Sequence, residues 1–136
     1  MGFKDTINKI FSSGTETKEN HFDETLKTHY YKTTKDKVIK ELEVMFGAKQ
    51  GYEVASISEE HGEVIVRIKK GKKAFMVVTV IMVRPFRTAI DFSVSTDTII
   101  FTDFGYSGKL IRELYKELDS RLPFVGTSLG DKLTKE

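Results

Sequence analysis

Ala74-Phe75-Met76-Val77-Val78-Thr79-Val80-Ile81-Met82-Val83 is a run of ten uncharged residues, rich in the β-branched types that suit a pleated, buried surface. At about 3.3 Å per residue it crosses a small domain as a strand, whereas a membrane-spanning helix needs roughly 20 apolar residues. It therefore reads as the central strand of a sheet, and the rest of the chain supplies its neighbours and its cover.

The residues after it alternate cleanly over Thr88 to Thr96, with Ile90, Phe92 and Val94 on one face and Ala89, Asp91, Ser93 and Ser95 on the other. Those before it do so over Glu63 to Lys69, with Val64, Val66 and Ile68 on one face. Arg84-Pro85-Phe86-Arg87 and Lys70-Gly71-Lys72-Lys73 are the intervening turns. If the first of these closes with Val83 opposite Thr88, cross-strand pairing puts Ile81 beside Ile90, Thr79 beside Phe92 and Val77 beside Val94. The core face is then expected to be Phe75, Val77, Thr79, Ile81 and Val83. A two- or four-residue second turn agrees with it. On that register Met76, Val78, Val80 and Met82 form an apolar stripe on the opposite face, where a solvated sheet would carry polar residues. This makes the stripe the leading candidate binding surface, open to a protein partner or to a second copy of the chain.

Two helices are expected. Val38, Ile39, Leu42, Met45 and Phe46 fall on one face after Thr33 or Thr34 as N-cap, with Gly47 or Gly51 as the stop. Leu110, Ile111, Leu114, Leu118 and Leu122 do the same between Ser107 and Pro123. Tyr52 to Ser58 and Thr28 to Thr33 read as further strands, Glu59 to Gly62 as a turn, and Thr98 to Thr102 as a short strand. The expected fold is α+β, an antiparallel sheet of about five strands in the order β-α-β-β-β-β-α, with both long helices on one face.

At the N-terminus Phe3, Ile7, Ile10 and Phe11 recur at helical spacing among Lys4, Asp5, Asn8 and Lys9, so residues 1–13 read as a short amphipathic helix. Such a helix is marginal alone and has to rest on its own domain, a partner or a lipid surface. Residues 14–27 read as a linker, 28–125 as the α+β domain and 126–136 as a frayed tail. A chain of 136 residues without cysteine folds on its own core, which buries roughly two-thirds of the unfolded surface. The missing cysteines exclude disulfides and thiolate metal sites, and the absence of a charged-then-apolar leader points to a soluble, cytoplasmic protein, peripheral at a membrane if at one at all. A net charge of +2 gives no general reason to bind nucleic acid.

Charge is nevertheless patterned. Arg67, Lys69, Lys70, Lys72, Lys73, Arg84 and Arg87 follow one another with no acidic residue between them. Lys70, Lys72 and Lys73 lie at one end of the central strand and Arg84 and Arg87 at the other, roughly 30 Å away at strand rise. They make two patches that read first as solvated hairpin tips and second as contacts for an anionic membrane or protein surface.

No catalytic set converges. Gly126-Thr127-Ser128-Leu129-Gly130 spells a nucleophile elbow, but His21, His29 and His61 all precede it, and Asp103-Phe104-Gly105 has none of the loops that accompany the kinase triplet. His21 with Asp23 and Glu24 reads as a solvated cluster before a metal site. The sequence thus points to a non-enzymatic binding or adaptor domain without a cofactor.

The span from Tyr31 to Leu122 resembles a bacterial domain-of-unknown-function family, number fourteen-ninety-nine. Its members have strand, helix and several strands, then a Ser-Arg-x-Gly-x-Ser-Asp-x-Gly-x-Asn loop leading into a helix. Thr102, Asp103 and Gly105 fit that loop, with Ser107 in place of asparagine, while Thr98 and Ile100 replace the arginine and first glycine. The family has no settled activity to lend, and the competing reading is a small-molecule-binding protein or enzyme that uses the loop from Asp97 to Ser107. The residues themselves also allow Asp103 a structural use ahead of a helix N-terminus.

Overall fold

The computed structural model describes residues 15–19, 21, 23–70, 73–96 and 106–127. Strands are β1 (Thr15–Glu16), β2 (His29–Tyr31), β3 (Tyr52–Ser58), β4 (Glu63–Ile68), β5 (Ala74–Arg84), β6 (Arg87–Thr96) and β7 (Phe124–Gly126), with helices α1 (Lys35–Ala48) and α2 (Tyr106–Arg121). All pairings are antiparallel and the sheet order is β3-β4-β5-β6-β2-β7, with β1 also on β6. The α+β class and the long central strand agree with the sequence. The sheet is wider than the expected five strands because β1 and β7 are only two and three residues long.

The central strand presents the other face to the core. Arg84 pairs with Arg87 around Pro85–Phe86, which is the register expected from the sequence, but the ladder then slips and Met82, not Val83, faces Thr88. Val83 is the extra residue of a β-bulge, and one extra residue exchanges the two faces of everything beyond it. Hence Val80 faces Ile90, Val78 faces Phe92 and Met76 faces Val94. On the other side, five residues rather than four separate Ile68 from its partner Ala74, so Val66 faces Met76 and Val64 faces Val78. Met76, Val78 and Val80 are 0–1 % exposed in the core, and only Met82, next to the bulge, stays 45 % exposed. The stripe read as a binding surface is therefore the inner face. Phe75, Val77, Thr79, Ile81 and Val83 occupy the outer one.

Both helices pack on the inner face. Val38, Ile39, Leu42, Met45 and Phe46 of α1 and Leu110, Ile111, Leu114, Tyr115 and Leu118 of α2 join Val64, Val66, Met76, Val78, Val80, Ile90, Phe92 and Val94 in one cluster. Thr34 caps α1, its hydroxyl accepting from the Lys37 amide, as its position before the apolar repeat implies. Arg121 of α2 reaches Glu41 of α1 at 2.7 Å, and Lys49 reaches Glu117 at 2.7 Å, so the helices are also tied at their polar edges.

The stretch read as a linker is part of the fold. Thr15–Glu16 and His29–Tyr31 pair in succession along one edge of β6. Where β1 ends and β2 begins, the Asp91 carboxylate accepts hydrogen bonds from the hydroxyls of Thr17 and Thr28, each at 2.6 Å. Between them Glu24–Leu26 makes a 3-10 turn that buries Leu26. At Gly62 the backbone takes φ +66° and its carbonyl accepts from Val80 N, so close that a Cβ there would lie 2.1 Å from Val80 O. The expected N-terminal helix and the expected strand from Thr98 to Thr102 lie outside the described residues.

The bulge makes a direct test of register. Val78→Thr is expected to cost about 1–3 kcal/mol by burying a hydroxyl among apolar side chains. The isosteric Val83→Thr, at a position 40 % exposed, should stay within about 0.5 kcal/mol of the parent. Urea denaturation of the two variants reads the difference, and the register expected from the sequence would give the opposite order.

Candidate functional site

Two places on the molecule depart from what a merely structural domain requires. The first is the β5–β6 hairpin tip. Ile81, Met82, Val83 and Phe86 are 40–60 % exposed, and they fall within six consecutive residues. Proline at the first turn position followed by positive φ at the second is the pattern of a type II turn, whose second position favours glycine or asparagine. Here Phe86 occupies it at φ 57°. A left-handed conformation costs a side-chain-bearing residue roughly 1–2 kcal/mol, and Phe86 recovers little of this by burial. Beside the tip a groove of about 590 Å³ runs between Val80–Met82, the start of α1 and the β3–β4 turn, with Lys35, Asp36 and Glu60 on its rim and His61 in its wall.

The second is a cleft of about 390 Å³ between α2, the 3-10 turn and the β2–β7 edge. Strand alternation puts His29 and Tyr31 on the inner face, and Asp119 lies one helical turn beyond Tyr115 on the helix that covers them. The Tyr31 hydroxyl donates to Asp119 Oδ1 at 2.7 Å, and His29 Nδ1 stands 3.0 Å from the same oxygen. Tyr115 stacks on the His29 ring, centroids 3.5 Å apart and planes within 5°, and donates its hydroxyl to the Ile90 carbonyl at 2.6 Å. Burial pushes the Tyr115 and Tyr31 phenols well up, and the Asp119 carboxylate adds to this for Tyr31, so both stay protonated donors.

At the mouth of this cleft, the Asp23 carboxylate is held at a pKa of about 2. The Thr25 hydroxyl and amide donate to it, and Arg112 adds a third hydrogen bond at 3.0 Å. His21 Nδ1 accepts from the Asp23 amide at 3.0 Å. The cluster of His21, Asp23 and Glu24 thus caps a turn and anchors it to α2. Among the described residues no group of three such side chains could hold a metal ion.

The basic residues divide. Arg67 and Lys69 share the Glu53 carboxylate at 3.0 and 3.2 Å. Lys70, Lys73 and Arg84 are exposed at opposite ends of β5, whereas Arg87 is 4 % exposed and is withdrawn as a contact for an anionic surface. Its place directly after the turn, on the edge that β2 covers, explains the burial. Lys72, the helix residues Phe3, Ile7, Ile10 and Phe11, and the loop residues Thr102, Asp103 and Gly105 lie outside the described residues. No helix among the described residues is long and apolar enough to cross a membrane.

Sequence reasoning missed His29, Tyr31, Tyr115 and Asp119. The alternation of His29 with Tyr31 and the four-residue step from Tyr115 to Asp119 were visible. The pairing of residues 90 apart in the chain was not.

Asp119→Ala leaves the Tyr31 hydroxyl buried without its acceptor, and a loss of roughly 1–3 kcal/mol is expected by urea denaturation. Combined with Tyr31→Phe the loss should fall short of the sum, because the two changes remove one shared bond. Asp23 predicts an acid effect. Its folded pKa lies below the ordinary 3.8, so its stabilisation is complete above that value and is lost as pH falls toward about 2. Asp23→Asn should remove this component of the stability–pH curve, read by thermal melts across that window.

No family model, curated protein or solved structure matches the chain.

Proposed function

We propose that the chain is a non-enzymatic binding domain that docks a protein partner through the β5–β6 hairpin tip. The observation that carries this reading is Phe86, a large apolar side chain held in a left-handed conformation and 60 % exposed. Outliers of this kind persist where the surroundings impose them and cluster at contact sites. Ile81, Met82 and Val83 extend the apolar surface around it, and the adjacent groove offers a receptacle. Charges of both signs at the groove, Lys35 against Asp36 and Glu60, suit the polar rim of a protein interface better than the single-signed face that an anionic membrane attracts. The binding face is thus the tip and outer face of the sheet rather than the inner stripe. In this reading the apolar repeat Phe3, Ile7, Ile10 and Phe11 is a second contact, toward a partner or a membrane surface.

Phe86→Gly separates fold from function, since glycine adopts positive φ without strain. The variant is expected to be as stable as the parent or more so, by up to about 1 kcal/mol, while losing partner capture, read by pull-down, and any self-association of the parent, read by sedimentation velocity. Retention of the parent's oligomeric state and captured partners by Phe86→Gly together with Ile81→Ser would remove the tip from consideration. Binding to anionic vesicles that the same changes abolish would replace the protein partner with a membrane.

A further inference from the structure

The His29 cleft contains more polar chemistry than its structural role uses. Asp119, as a carboxylate, only accepts, so the His29 nitrogen facing it carries the proton, and in the neutral form of the ring Nε2 is an acceptor. That nitrogen has no partner among the described residues, although the His29 side chain is only 10 % exposed. The remaining contacts of the ring are aromatic, with Tyr115 stacked on it and Phe124 at 4.7 Å. Tyr31 already fastens Asp119 to β2, so anchorage of α2 needs a flat ring at position 29 and no second nitrogen.

The charges at the cleft are equally uneven. Arg112 is bound to the Thr25 hydroxyl at 2.7 Å and to Asp23 at 3.0 Å. Lys116, one turn before Ser120 on the same helix and lining the same cleft, is exposed and has no ion pair among the described residues. The Asp119 charge is already opposed by the donors from Tyr31 and His29. The cleft therefore offers an unpartnered acceptor in its wall, a cation without an ion pair and an aromatic wall within about 390 Å³, a volume in the range of small-molecule sites.

We propose that this cleft binds a small organic anion bearing a hydroxyl group, the hydroxyl donating to His29 Nε2 and the anionic group pairing with Lys116. The two requirements act together. An acceptor that the ligand covers discriminates against a ligand that lacks the donor, because it would then be left unpaired after desolvation. The cation supplies attraction for carboxylate or phosphate without fixing which of the two.

The test is a titration followed by long-range ¹H–¹⁵N spectra of the histidine rings in the full chain, with glycolate, glycerol 3-phosphate and ribose 5-phosphate as probes and with acetate and inorganic phosphate as anions lacking a carbon-borne hydroxyl. At least one hydroxylated probe is expected to move the His29 Nε2 resonance saturably at millimolar concentration, leaving His61 in place, and to raise the melting temperature. A carboxylate or a phosphate preference among the probes names the anionic group. Lys116→Ala should weaken the effect about tenfold, the value of one charge-assisted hydrogen bond. His29→Phe, which keeps the stacking, should abolish the thermal shift. An unmoved His29 resonance with all three probes, equal response to acetate or inorganic phosphate, or an undiminished thermal shift in His29→Phe would each overturn the proposal. The wild-type spectra decide even if a variant fails to fold.

Discussion

The register between β5 and β6 is the constraint on which the rest of the structure depends, and a single residue sets it. The Pro85–Phe86 turn closes Arg84 on Arg87, and without Val83 looped out of the ladder the next pair would be Val83 with Thr88. The bulge turns that register by one, so that Met76, Val78 and Val80 meet α1 and α2. Because side chains alternate with a period of two, no intermediate arrangement exists. The inner residues of β4 and β6 are unmistakable from their alternation, and the bulge is what brings the inner residues of β5 into line with them. It also leaves the last residues of β5 beyond the reach of the helices, which is why the exposed apolar side chains gather at that end.

Much of this architecture is legible in the sequence because it rests on periodicity. The apolar repeat of α1, its Thr34 cap and the alternation in β4 and β6 each follow from local pattern. The central strand resists the same reading since both of its faces are apolar, and pattern then cannot say which face is inward. The choice falls to the turns, where a bulge and a five-residue connection each shift the count by one. β1 escapes notice for a different reason. Two residues in a polar stretch carry no period, and what holds them is long-range: pairing to Val94 and Ser93, with the Thr17 and Thr28 hydroxyls on Asp91 just beyond. The same holds for the site, whose members are neighbours only after the sheet has placed β2 under α2.

The two faces of the sheet are stabilised differently. On the inner face apolar burial dominates, and the Thr88 and Tyr115 hydroxyls there are matched. Thr88 donates to the Thr33 carbonyl at 2.7 Å and Tyr115 to that of Ile90 at 2.6 Å, so neither hydroxyl pays the cost of burial without a partner. At the outer margin the bonds are ionic and exposed, such as Glu53 with Arg67 and Lys69, and contribute little each. Their effect is to pair two members of a basic run that looks continuous in sequence. Lys70 and Lys73 are exposed at one end of β5 and Arg84 at the other, which argues against one extended anionic partner lying along the strand.

Where local rules are broken in this chain, the breach is not repaired nearby. Phe86 takes a glycine conformation without being buried for it, and His29 turns a ring nitrogen without a protein partner to the cleft, while the polar groups around it are matched. These breaches are mechanically independent. The first is imposed by the hairpin turn and would persist if α2 were displaced. The second exists only because α2 is held down, by Tyr31 on Asp119 and by the aromatic stack of Tyr115 on His29. A natural sequence keeps local and global preferences consistent except where something else is gained. Two unrelated exceptions among the described residues are what the two proposals rest on, a contact made by the hairpin and a pocket governed by the seating of a helix.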